Sequence, residues 1–92
     1  MKSHFNKTIY AGGANREFHF LLISYSTDLF KPNQLWYHIT VLDEDELLLF
    51  RMKRNEKDEW KIDNQVLPDW VFTAETELGR LIENENIPFY TK

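Results

Sequence analysis

The sequence predicts an α+β fold, an antiparallel meander of about five strands with one C-terminal helix packed on one face. Three observations lead to this prediction. Up to residue 63 the chain holds short segments that alternate apolar and polar residues or run continuously apolar, as strands do. The connections between residues 35 and 63 are short, which favours hairpin pairing. From Asp69 the apolar residues take the spacing of a helix.

Composition indicates one folded domain spanning residues 1–92. Of the 92 residues, 42% are hydrophobic and 15% are aromatic, far more than a disordered chain carries. Two cores of useful size would not fit in this length. No apolar run approaches the roughly 20 residues that cross a bilayer, so no membrane association is expected.

The first two strands are predicted at about 7–11 and 17–26. The first is rich in β-branched and aromatic residues and stops at Gly12-Gly13, a pair that can adopt positive φ freely. The second begins by alternating and becomes continuously apolar, which suits a strand covered on both faces.

Three more strands are predicted at about 35–42, 47–53 and 59–63. Acidic residues 43–46 form the polar turn between the first two of these strands, and residues 54–58 form a hairpin connection before the last. The last strand alternates with a clean period of two.

The helix is predicted at about 69–85, after the stop signal Leu67-Pro68, with Asp69 as its N-cap. Gly79 lies inside it, and a close approach between helix and sheet would explain a residue that weakens helices. The apolar residues of this segment recur on one side: Val71, Ala74, Leu78, Leu81 and Ile82.

A single helix of about 16 residues covers only one face of such a sheet. In each of the three later strands every second residue points to the same face, and we assign one such set to the helix side: Leu35, Tyr37, Ile39, Val41, Leu48, Phe50, Met52, Trp60 and Ile62. The opposite face then holds an apolar set that we predict to be an interface: Leu21, Ile23, Tyr25, Trp36, Leu42, Leu47 and Leu49. A monomer rarely exposes so much apolar area.

A second copy of the chain is the favoured cover for this face, because homodimers are the commonest soluble oligomers. The other covers are a partner or ligand and the chain's own N-terminal segment. The expectation depends on strand register, since a slip of one residue would exchange the two faces.

Little in the chain indicates catalysis. It has no cysteine, which excludes disulfides, cysteine zinc sites and thiol nucleophiles. The histidines His4, His19 and His38 lack metal-ligand spacing, and the acidic run 43–46 lacks the glycine and glutamate of a calcium loop. No nucleophile elbow, phosphate loop or dinucleotide motif is present, so we predict a non-enzymatic protein without cofactor or metal.

A single-stranded nucleic-acid-binding domain is the alternative, although a net charge of −4 disfavours it. Aromatic and basic side chains on one sheet face would suit stacked bases and phosphates: Trp36, His38, Arg51, Lys53 and Lys61. A regulatory partner of a larger protein, using the same face, is the third hypothesis.

The start of the chain lacks an apolar stretch behind its positive charges, and with no cysteine present we expect a cytoplasmic location.

Overall fold

The computed structural model describes residues 3–25, 34–63 and 66–86. Its sheet is antiparallel with the strands in chain order, which confirms the meander. The strands are β1 (His4–Ala11), β2 (Ala14–Tyr25), β3 (Gln34–Asp43), β4 (Glu46–Arg54) and β5 (Trp60–Ile62). Two helical segments follow, α1 (Asp69–Thr73) and α2 (Glu75–Glu85). Within these ranges, no helix has the length and apolar character needed to span a bilayer.

The first two strands are longer than the sequence indicated. β1 begins at His4, which pairs with Leu21, and β2 begins at Ala14, which pairs with Ala11. Most of the predicted loop between the second and third strands, and residue 26 of the predicted second strand, lie outside the described residues. The strand pairing therefore extends beyond the segments with clear apolar alternation.

The predicted single helix is divided at Ala74, whose N–H bonds to the carbonyls of Trp70 and Val71. The prediction of Asp69 as N-cap is wrong by one residue. Pro68 takes the cap position with an extended ψ of 148°, and Asp69 is the first helical residue, with no side-chain cap bond. The rigid φ of proline fixes the chain direction just before the first turn.

The core lies between the sheet and the two helical segments. The side chains of Phe18, Phe20, Tyr37, Ile39 and Phe50 are completely or almost completely excluded from solvent. From the helical side, three residues meet them without exposure: Val71, Leu78 and Ile82. The sequence-based assignment of faces is therefore confirmed where the side chains are described, and one sheet face supplies the core.

Gly79 confirms the expected close approach of helix and sheet. A Cβ at this position would lie 3.3 Å from Cβ of Trp60.

At the end of α2, Asn86 is fully buried and donates from Nδ2 to Oη of Tyr37 at 3.0 Å and to the carbonyl of Ile82 at 2.8 Å. The helix is thereby anchored to the sheet at its C-terminus.

Candidate interaction surface

The sheet face turned away from α1 and α2, here called the open face, carries the predicted interface and nucleic-acid-binding residues. Cross-strand pairing arranges its side chains in four rows. The tryptophan row, at one end, is Ile23, Trp36, Lys53 and Lys61. The two middle rows are His4, Leu21, His38 and Arg51, then Asn6, His19, Thr40 and Leu49. The leucine row, at the other end, is Thr8, Glu17, Leu42 and Leu47.

Four leucines on the open face are exposed to solvent. The exposed fractions are 49% for Leu21, 56% for Leu42, 64% for Leu47 and 54% for Leu49. Ile23 and Trp36, also predicted for this interface, are half-buried on the same face. The side chain of Tyr25, the remaining predicted residue, lies outside the described part of the chain.

The tryptophan row forms the basic end of the open face. Cζ of Arg51 lies 5.2 Å and Nζ of Lys53 lies 5.0 Å from the centroid of the Trp36 ring. Both cations are within the range in which a charge is attracted to an aromatic face. His38 lies opposite Arg51 in the next row. The structure thus brings Trp36, His38, Arg51 and Lys53 together, whereas the amine of Lys61, the remaining predicted residue, lies near Glu75 of α2.

Two of these cations also have acidic partners outside the open-face rows. Nη2 of Arg51 lies 3.2 Å from Oδ2 of Asp63, and Nζ of Lys61 lies 3.5 Å from Oε1 of Glu75. Such pairs reduce the positive potential available to a phosphate. The basic end is therefore less cationic than its lysines and arginine indicate.

The leucine row forms the acidic end of the open face. Glu17 pairs with Thr8 in this row and lines one depression with Leu42 and Leu47, and the turn beyond it carries Glu44 and Asp45. Oε1 of Glu17 lies 3.0 Å from Nε2 of His19. The open face is therefore basic at one end and acidic at the other, with two exposed leucines in its middle rows (Leu21 and Leu49) and two in its acidic end row (Leu42 and Leu47).

The three histidines of the chain converge on this face around Leu21. His4 and His38 lie opposite Leu21 on its two neighbouring strands, and His19 precedes it by two residues on β2. All three line a shallow depression of about 420 Å³. Burial lowers the pKa of His38 below its usual value, and the nearby Arg51 guanidinium lowers it further.

The histidine cluster was not predicted as a unit. The alternation of His19, Leu21 and Ile23 along β2 indicated that these three side chains share one face. The position of His4 beside them follows from strand pairing that extends β1 back to His4. In the described ranges, histidine and acidic side chains form no group placed to hold a metal ion. The cluster includes His38, whose imidazole becomes charged when it binds a proton.

A second cluster, on the helix side, was also missed. The guanidinium carbon of Arg16 lies 4.4 Å from the Trp70 ring centroid, and Nη1 lies 3.1 Å from Oδ1 of Asp43. Arg16 also donates to the carbonyls of Ala11 and Gly12. These contacts join the first turn to α1 and serve the fold.

Exposed leucines between oppositely charged ends have the features of a protein association surface. No protein-family model, curated protein or solved structure matches this chain.

Proposed function

We propose that the protein is a small, non-enzymatic, cytoplasmic binding or assembly module that forms a homodimer through its open face. The exposed leucines of that face carry the proposal. Removing apolar surface from water stabilises an association by about 25 cal/mol per Å². Leu42, Leu47 and Leu49 are neighbours on β3 and β4 and are more than half exposed, and Leu21 on β2 is 49% exposed.

The dimensions of the open face suit a second copy. Four rows extend about 27 Å along the strands, and four long strands extend about 19 Å across them, which gives a flat projection of roughly 500 Å². Side-chain relief raises the accessible area above the projected area. A standard interface buries about 800 Å² per partner. A face-to-face pair therefore approaches the size of a stable interface.

The charges of the open face favour one orientation of the second copy. A twofold axis that lies in the interface and runs across the strands turns one face end for end over the other. Each basic end then covers an acidic end, and Trp36 of one copy faces Leu42 of the other. This self-complementarity supports a second copy as the occupant, because no other partner's charges need to be assumed.

Light scattering after size-exclusion chromatography, over a range of concentrations, tests the proposal. We expect a mass that rises toward twice 11.1 kDa. Leu49→Lys should give a folded monomer, because it buries an ammonium group that the proposed orientation places against Arg51 of the second copy. Val66→Lys is the matched control, since Val66 is fully exposed and lies outside the open face. A wild-type monomer at every concentration, or a dimeric Leu49→Lys, would contradict the proposal.

Single-stranded nucleic acid is the second candidate, favoured by the Trp36 ring with Arg51 and Lys53 beside it. Titration with single-stranded RNA and DNA, followed by tryptophan fluorescence, tests it. We expect a Trp36→Phe variant to lose the signal and the affinity to fall steeply with salt. Salt-independent binding or no binding would reject this candidate. A monomer that binds no nucleic acid would favour the third hypothesis, a regulatory partner of a larger protein.

A further inference from the structure

We propose that the histidines around Leu21 make the open-face dimer pH-dependent, so that two copies associate at neutral pH and separate on acidification. This inference rests on the proposed homodimer. It concerns the regulation of that interface, which the exposed leucines alone do not predict.

The histidines lie where a second copy would cover them. His38 is half-buried in the middle of β3, between Leu21 and Arg51, whereas His4 and His19 are exposed on β1 and β2. The proposed twofold axis passes near the centre of the open face, and so brings the His38 side chains of the two copies near each other.

The charged groups around each histidine determine what protonation would cost. His38 lies opposite Arg51, whose charge Asp63 partly offsets, and has Lys53 on the diagonal, so its added charge would meet a net positive environment. His19 lies beside Glu17, which would offset its charge, and its cross-strand neighbours Asn6 and Thr40 are uncharged.

His4 is on the edge strand of the described sheet, where it pairs with Leu21. Its Nδ1 lies 3.5 Å from the hydroxyl of Ser3, which carries no charge. His38 therefore has the least favourable surroundings for a positive charge and should contribute most.

Covering an imidazolium with apolar surface removes its hydration, which is costly without an anionic partner. Dimerisation therefore disfavours the protonated histidines, and by linkage their protonation disfavours the dimer. In addition, two protonated His38 side chains near the axis would repel each other.

The net charge of the chain predicts the opposite pH dependence. At pH 7 the chain carries −4, and its isoelectric point is near 5.3. Acidification toward that value reduces the repulsion between copies and thereby favours association. Dissociation on acidification would therefore identify a local effect at the interface.

The test is the dimer dissociation constant of the full chain, measured by sedimentation equilibrium in half-unit steps from about pH 7.5 to 5.0, which extends below the ordinary histidine range because the pKa of His38 is lowered. Each titrating histidine contributes up to about tenfold per pH unit, so we expect a rise of roughly 10- to 100-fold. Circular dichroism at each step confirms that the chain stays folded, and only folded points are used.

His38→Gln should keep the dimer and remove most of its pH dependence. His4→Gln is the matched control, and should keep both, because His4 lies at the exposed edge. Association that is constant or stronger at low pH, or a His38→Gln variant with the full pH dependence, would overturn the inference while leaving the homodimer standing. A monomer at pH 7.5 would overturn both.

Discussion

Gly12 lies against the indole of Trp70, so closely that a Cβ at Gly12 would stand 2.7 Å from Cδ2 of the ring. Gly12 also has a φ of 63°, in the left-handed region that favours glycine. The turn between β1 and β2 and the start of α1 therefore fit together only without a side chain at this position. This contact fixes where the first helical segment meets the sheet.

Gly12→Ala should lower the free energy of unfolding by about 3 kcal/mol, because it combines backbone strain with a clash against the ring. Gly13→Ala is the matched control: it has a φ of 81° but no atom within 4 Å of its Cβ position. We expect it to cost about 1 kcal/mol, for backbone strain alone. Urea denaturation measures both, and equal losses would show that the Trp70 contact contributes nothing.

Asn86→Ala should lower the free energy of unfolding by about 2 kcal/mol, because its buried amide bonds Tyr37 and the Ile82 carbonyl. Tyr37→Phe should cost about 1 kcal/mol. The two losses should not add, since both variants remove the same hydrogen bond. A double-mutant cycle in denaturant measures this coupling, with the exposed Asn84→Ala as control. Additive losses would contradict the coupling.

His38 should titrate below the ordinary histidine value in the isolated chain, because burial and Arg51 both lower its pKa. The unfolded chain then binds protons more readily than the folded one, so this histidine reduces stability as the pH falls below about 6.5. NMR titration measures the midpoint, and Arg51→Gln should raise it part of the way. A midpoint unaffected by Arg51→Gln would assign the whole shift to burial.

Reversing charge at either end of the open face should weaken the proposed dimer, and reversing both ends should restore it. Lys53→Glu or Asp45→Lys should each raise the dissociation constant roughly tenfold, since each change acts at two symmetry-related contacts of up to about 1 kcal/mol. The double variant should recover most of the affinity, because the turned-over orientation again pairs opposite charges.

Lys53→Gln is the control, because it removes the lysine charge without reversing it. Analytical ultracentrifugation at low salt measures all four variants. If the two reversals weakened the dimer cumulatively, the charged ends would not face each other across the interface.

The fold and the faces of the sheet could be predicted because strand alternation is local. Tyr37, Ile39 and Val41 alternate with Trp36, His38 and Thr40, and only one of these sets meets the helices. The break in the helix at Ala74 could not be predicted, because alanine is the best helix former. The contact of Trp70 with Gly12, which fixes where α1 meets the sheet, joins residues far apart in the sequence and could not be predicted either.

The candidate site was predictable only in part. The positions of the exposed leucines and of the basic residues on one sheet face follow from the alternation of side chains along each strand. The grouping of His4 with His38 depends on the register of β1, β2 and β3, which is set by packing across the whole sheet. From the sequence, the three histidines were weighed as metal ligands and His38 also as a nucleic-acid contact, but not as one group on the open face.

Lys7 lies on β1, at the edge of the sheet, and pairs with Glu85 on the helix side. A charge on the inward side of an edge strand hinders a further strand from joining the sheet, because that strand would have to accommodate the charged pair. Two copies meeting face to face form a closed assembly, whereas edge-to-edge pairing adds subunits without end. Lys7 therefore disfavours the addition of a strand at β1, and a face-to-face dimer as proposed would be a finite complex.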